Sequence, residues 1–166
     1  MHGSAWQAAT VTRVLDGDTL ELAGGERVRM VGINAPETAK YGKPGDPLGQ
    51  EAWRRLQTLA QPGSTLYFRR DRTQRDHYGR RLLHPFDAEG HNITTALLAE
   101  GWGFHVVIPP NAWQAACYRG VEQLAIAGKR GVWGLTHYQP VAANDLEHLH
   151  GGYSRVSGKV EAVILT

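Results

Sequence analysis

Residues 10–37 read TVTRVLDGDTLELAGGERVRMVGINAPE. Thr10 to Leu15, Thr19 to Leu22 and Arg27 to Ile33 each read as a strand. Asp16-Gly17 and Ala23-Gly24-Gly25 separate them with turn residues. The reading is a three-strand meander, broken by Ala35-Pro36.

Working outward, Lys40 to Pro47 carries Gly42, Pro44, Gly45 and Pro47, and reads as a loop. Leu48, Ala52, Leu56, Leu59 and Ala60 follow the helical period, and Pro62-Gly63 stops that helix. Thr65 to Phe68 reads as a fourth strand and Arg81 to Phe86 as a fifth. Asn92 can cap a short helix with Ile93, Ala96 and Leu97 inward and Gly101 at its end. Trp113, Ala116, Cys117, Gly120, Val121 and Leu124 give the apolar face of a longer helix ending at Gly128, with Cys117 read as a small core residue. Five short strands with helices between and after them define an α+β chain and suit a small barrel of the OB type.

The boundaries that follow are an N-terminal extension over 1–9, a barrel domain over 10–134, a polar linker over 135–150, and a C-terminal strand over 151–166. Val156, Val160, Val163, Ile164 and Leu165 make that last segment apolar. An apolar strand with a free edge is a pairing hazard. It adds to the barrel, pairs with another copy, or begins a second domain; the last is the favoured expectation.

The chain of 166 residues is 42% hydrophobic and 20% charged, which excludes a disordered or collagen-like chain. Its single cysteine excludes a disulfide framework and a multi-cysteine zinc site. No apolar run approaches the ~20 residues of a membrane span. The opening Met1-His2-Gly3-Ser4 has neither the charged nor the apolar region of a signal peptide. The net charge of +2 is too small to argue a nucleic-acid partner from the bulk field. Its distribution says more: between Glu51 and Arg81 eight arginines stand against three acids. Guanidinium forks grip phosphate bidentately.

Several motifs fail on inspection. Asp16 and Asp18 could open an EF-hand loop, but Leu20 and Glu21 fall where an oxygen ligand and a glycine are needed. Gly158-Lys159 lacks the rest of a phosphate loop. His148 and His150 have no third metal ligand nearby, and capping explains Asn92 better than glycosylation does.

Three islands remain: Asp16-Gly17-Asp18-Thr19, Arg29 through Asn34-Ala35-Pro36-Glu37, and Asp76-His77-Tyr78-Gly79-Arg80. Asp18 and Asn34 should meet at the ends of neighbouring strands of the meander, and both offer the oxygen ligands that hard cations take. Glu37 could activate a water beside such a cation. Arg29 and Arg80 could clamp a phosphate and stabilise charge on a five-coordinate phosphorus. The set suits metal-assisted phosphodiester hydrolysis.

In order and separation, the three islands resemble the staphylococcal nuclease (thermonuclease) family, with likeness running from about Thr10 to Gly134. That resemblance implies a five-stranded OB barrel with three helices. It also implies calcium-dependent, sugar-nonspecific cleavage of DNA and RNA to 3′-phosphate and 5′-hydroxyl ends. Asp18 would be the principal calcium carboxylate, Asn34 a second ligand, Ala35 a backbone-carbonyl ligand, and Asp16 an outer-shell group. Glu37 would be the general base, Arg29 and Arg80 the phosphate clamps, and Tyr78, with His77 beside it, a contact to a terminal phosphate. A secreted or periplasmic location is a further implication. Partners would be single- or double-stranded DNA and RNA, with self-association or a second domain through the C-terminal strand.

Two departures stand out. Asn34 falls where most members carry aspartate, so weaker calcium binding is expected. Val106 and Ile108 fall near tyrosines of better-known members, so base stacking worth ~1–3 kcal/mol per base is missing. Trp102, Phe104 or His105 could compensate, although core packing suits the first two better. The competing expectation is a catalytically weak or inactive nucleic-acid- or protein-binding module on the same fold. Retention of Asp18, Arg29, Glu37 and Arg80 argues against it.

Overall fold

The computed structural model describes residues 5–149 and 153–163. Met1–Ser4, His150 and both ends of the apolar tail lie outside the described residues. The described elements begin with β1 (Trp6–Asp16), β2 (Thr19–Leu22), β3 (Arg27–Met30), β4 (Ile33–Asn34) and α1 (Gly49–Leu59). There follow β5 (Thr65–Arg75), β6 (Arg81–Phe86), α2 (Ile93–Glu100), β7 (Phe104–His105) and α3 (Ala115–Ala127). The last strands are β8 (Val141–Ala142) and β9 (Val156–Ser157).

Five strands close into a barrel in the order β1-β2-β3-β6-β5. All pairs are antiparallel except β3 with β6, where Val28 faces Arg81. With three α-helices against it, this is the expected α+β OB-type barrel. Val11, Leu20, Val28, Phe68 and Leu83 fill its interior, and Leu56 of α1, Leu97 of α2 and Tyr118 of α3 pack onto them. Each such fully buried side chain stabilises by about 1.5–3 kcal/mol. The bidentate Arg55–Glu100 pair that ties α1 to α2 has 2.7 Å contacts but is about one-third exposed, so it contributes below about 1 kcal/mol. Packing, not charge, holds the helices on.

The structure moves several expected boundaries. β1 starts at Trp6, not Thr10, because Trp6–Thr10 pairs with Arg69–Thr65. The fourth strand continues past Phe68 to Arg75 because β6 supplies a partner for its arginines. The third strand ends at Met30. Gly32 turns the chain at φ 91°, where a Cβ would lie 2.6 Å from the Tyr118 ring. Ile33–Asn34 then pairs with β7 outside the barrel, so Asn34 is not a meander residue.

The last helix is shifted in phase. Cys117 is exposed, as is Leu124, while Tyr118 and Ala125 are buried. Trp113 precedes the helix. Segment 135–149 holds 3₁₀ turns around a second small core of Phe104, Ala125, Val132, Trp133 and Tyr138, onto which Tyr153 stacks. The Tyr138 hydroxyl donates to the Pro47 carbonyl at 2.7 Å. In the described part of the apolar tail, strand structure is confined to Val156–Ser157, which pairs with Val141–Ala142.

Candidate active site

The Asp16-Gly17-Asp18 turn joins β1 to β2 and is buried at both carboxylates. Gly17 allows this: a Cβ there would lie 2.7 Å from that of Ala35. Asp18 accepts from the Thr19 hydroxyl at 2.8 Å and from the Ala35 amide at 2.9 Å. Arg29, on β3, places one terminal nitrogen 3.1 Å from Asp18 Oδ2. The same nitrogen donates to Asn34 Oδ1 at 3.1 Å. Its other terminal nitrogen donates to the Met30 and Ile33 carbonyls at 2.6 and 2.7 Å. Asp18 and Asn34 therefore do come together, through Arg29 rather than through adjacent barrel strands.

Asp16 accepts from the backbone amides of Gly17 and Thr38 at 3.0 and 3.1 Å, and forms an ion pair with Lys40. Burial opposes its charge, but Lys40 and its other hydrogen bonds hold the carboxyl below the usual range. Glu37 is more exposed and lies 3.3 Å from Lys40. Burial, and after it the proximity of Asp16, pushes Glu37 upward against the pull of Lys40. Lys40, three residues past Glu37, was not among the expected site residues; its position in a glycine-rich loop hid it.

The Glu37 backbone is fixed on both sides. Its amide donates to Asp46 Oδ2 at 3.0 Å, and its carbonyl accepts from the Asp46 amide at 2.8 Å. Gly49 lets α1 approach that carbonyl, since a Cβ there would be 2.2 Å away.

Arg80 enters from the β5–β6 turn. Its Nε donates to Asp76 at 2.7 Å, and its guanidinium lies 5.3 Å from the Tyr78 ring centroid. Burial acts upward on Asp76, yet the hydrogen bonds from Arg80 keep its carboxyl low. His77 and Tyr78 have ring centroids 3.8 Å apart and both are exposed. Arg29, Arg80 and His77 line one cleft of about 430 Å³ together with Val106, Ile108 and Asn111. Val106 and Ile108 thus present aliphatic side chains to the cleft. Phe104 is buried, and Trp102 packs on the core with its indole N–H donated to Glu100, so neither replaces a stacking ring. His105 is held by the Gly32 carbonyl and Glu122.

Among the described residues, Asp87, Glu89 and His91 bring potential ligand atoms within 4.8 Å of one another. They sit in the turn between β6 and α2, where Asp87 accepts from the Glu89 and His91 amides and pairs with the His91 ring. That turn accounts for them.

The fold and these three converging islands define a nuclease-like barrel, and comparison with known proteins agrees. The family described as "Staphylococcal nuclease homologue" matches residues 27–134, and the chain belongs to that family. The chain is 30% identical over 133 residues to endonuclease YncB of Bacillus subtilis, covering 78% of this chain and 63% of that protein. Against the SPbeta prophage-derived endonuclease YokF of the same organism it is 29% identical, covering 78% of this chain and 45% of the other. It is 32% identical over 104 residues to the thermonuclease of Staphylococcus intermedius, covering 61% of each. The chain thus spans less than two thirds of the length of these relatives.

Proposed function

We propose that this chain is a calcium-dependent nuclease that hydrolyses DNA and RNA phosphodiesters to 3′-phosphate and 5′-hydroxyl ends. The observation that carries the reading is the shared guanidinium nitrogen of Arg29, 3.1 Å from oxygens of both Asp18 and Asn34, in the cleft that Arg80 also lines. Two oxygens already converge on one positive centre. A carboxylate, an amide carbonyl and the Ala35 carbonyl form an all-oxygen donor set, the chemistry that calcium takes. Asp16, engaged with Lys40, is suited to an outer position. When bound, calcium would supply Lewis-acid polarisation of the phosphate and of a water.

The chain's own residues do the rest. Glu37 accepts the proton of the attacking water, whose oxygen bonds to phosphorus as the bond to the 5′-oxygen breaks; solvent protonates the leaving oxygen. Arg80, with Nε committed to Asp76, offers its terminal nitrogens to the phosphate. Arg29, once released from Asp18 and Asn34, does the same. Tyr78 and His77, exposed beside Arg80, are suited to hold a terminal phosphate.

A binding module of low or no activity is the second reading, and the pairing of Lys40 with both Asp16 and Glu37 favours it. Digestion of single-stranded DNA across a calcium titration, with a chelator control and Glu37→Gln alongside, separates the two. Calcium-dependent cleavage lost in Glu37→Gln is expected. Binding without cleavage at any calcium level would turn the assignment to the module.

A further inference from the structure

A second cleft, of about 470 Å³, lies beside the first and is lined by Arg69, Arg70, Asp71, Arg72, Pro110 and Trp113. The two share a wall. Thr73 and Asn111 line the catalytic cleft, and their chain neighbours Arg72 and Pro110 line the second. Asn111 locks the wall, accepting from the Thr73 amide at 2.7 Å and donating to its carbonyl at 3.3 Å.

The electrostatics of this cleft are one-sided. Its single acid, Asp71, is 5% exposed at its side chain and turned inward, accepting from His84, the Trp113 amide and the Arg72 amide. Arg55, Arg75, Arg80 and Arg81 each hold a carboxylate. Among the described residues neither Arg69 nor Arg72 forms an ion pair. Arg69 instead places its guanidinium carbon over the Trp113 ring, 4.1 Å from its centroid. Trp113 is wedged in turn against His84 and Phe86. The contact holds one guanidinium against the ring, while Arg72 is exposed. A planar guanidinium on an aromatic wall, with further cations along one strand, is how a polyanionic backbone is tracked.

We propose that this arginine cleft is a subsite for the phosphate backbone of a single-stranded nucleic acid that continues out of the catalytic cleft across the Thr73–Asn111 wall. The proposal rests on the nuclease reading for the identity of the strand. β5 runs on past Phe68 with Arg69 and Arg70 paired to β6, and Arg69, Arg70 and Arg72 all line this cleft. From Thr73 to Arg69 the strand covers about 13 Å, enough to engage phosphates beyond the scissile one.

The test is binding of a labelled dinucleotide and of an oligothymidylate of about twelve nucleotides, followed by fluorescence anisotropy in chelator across a salt series. Wild type is compared with Arg72→Ala and with Arg54→Ala, an exposed arginine of α1 that carries the same charge change. Arg72→Ala should weaken the long oligonucleotide about three- to tenfold and lower its salt slope by about 0.7, leaving the dinucleotide unchanged. Arg54→Ala should do neither. Equal loss on both ligands, equal loss in both variants, or no loss overturns the subsite. A wild type that fails to cleave in calcium yet shows this length-dependent pattern keeps the subsite and sinks the nuclease reading. A wild type that cleaves, with Arg72→Ala binding the long strand normally, does the reverse.

Discussion

One terminal nitrogen of Arg29 donates to Asn34 Oδ1 at 3.1 Å and lies equally close to Asp18. A positive charge already stands between the two oxygens proposed to hold calcium, so the protein carries its own competitor. Asn34 leaves that contest one negative charge short of an aspartate pair.

Asn34→Asp should lower the calcium midpoint for DNA cleavage by about tenfold, because calcium affinity follows the charge of its ligands. Cleavage rate against calcium concentration measures it. An unchanged midpoint would remove position 34 from the metal site.

Ile108 lines the cleft and is 73% exposed. Ile108→Tyr should restore a stacking face and tighten nucleotide binding by about 1 kcal/mol, the low end of base–aromatic stacking. Titration with a mononucleotide reads it directly. No gain would mean that bases in the cleft do not pass that wall.

His84 is fully buried between Tyr118 and Asp71, at 2.8 and 3.0 Å. Burial pushes Tyr118 up to about 12, so its hydroxyl stays protonated and donates to Nδ1. Nε2–H then donates to Asp71, which assigns the tautomer. Burial lowers the His84 pKa more than Asp71 raises it. The unfolded chain therefore takes up the proton first, and stability falls as pH drops below about 6.5 toward the lower folded value. Asp71 is also held low, despite its burial, so its contribution disappears on acidification too, in a more acid range. His84→Leu should cost about 1–3 kcal/mol at neutral pH by removing the buried ring donor and leaving Asp71 with only the Trp113 and Arg72 amides. It should also flatten the stability slope between about pH 7 and 5, read by urea denaturation at several pH values.

Gly49→Ala places a methyl group against the Glu37 carbonyl, at 2.2 Å if nothing moves. The barrel core does not include this contact, so the main effect should fall on turnover. A drop in kcat of about 100-fold is expected from a misplacement of this kind, with the thermal midpoint shifted far less. Equal losses of stability and activity would deny the turn a special role in placing Glu37.

The meander, β6 and α2 were legible because short-range rules governed them. Asn92 caps α2 by accepting from the Thr95 amide at 3.1 Å, and Gly101 ends it at φ 80°. The second half of β5 was not legible: RRDRTQR has no alternating apolar face, and only pairing with β6 makes it a strand. The phase of α3 was misread because Trp113, counted as its first apolar residue, lies before the helix. That count puts Cys117 on the inward face, whereas Cys117 is exposed and Tyr118 is buried. At the site the acids and arginines could be named from their islands. What the sequence could not carry was the contact between them: Arg29 as the bridge, Lys40 across Asp16 and Glu37, and the shared wall of the two clefts. All three depend on residues brought together from separate strands and loops.

The hydrogen bond from Tyr138 to the Pro47 carbonyl has a thermodynamic side. Asp46 pins the near end of the loop that begins at Glu37, and Tyr138 pins the far end. A loop tied at both ends surrenders its conformational entropy when the chain folds, not when substrate arrives. If Glu37 is the base proposed above, residues past Gly134, where the family match stops, help to aim it. A chain cut at that point would keep its barrel and lose its precision.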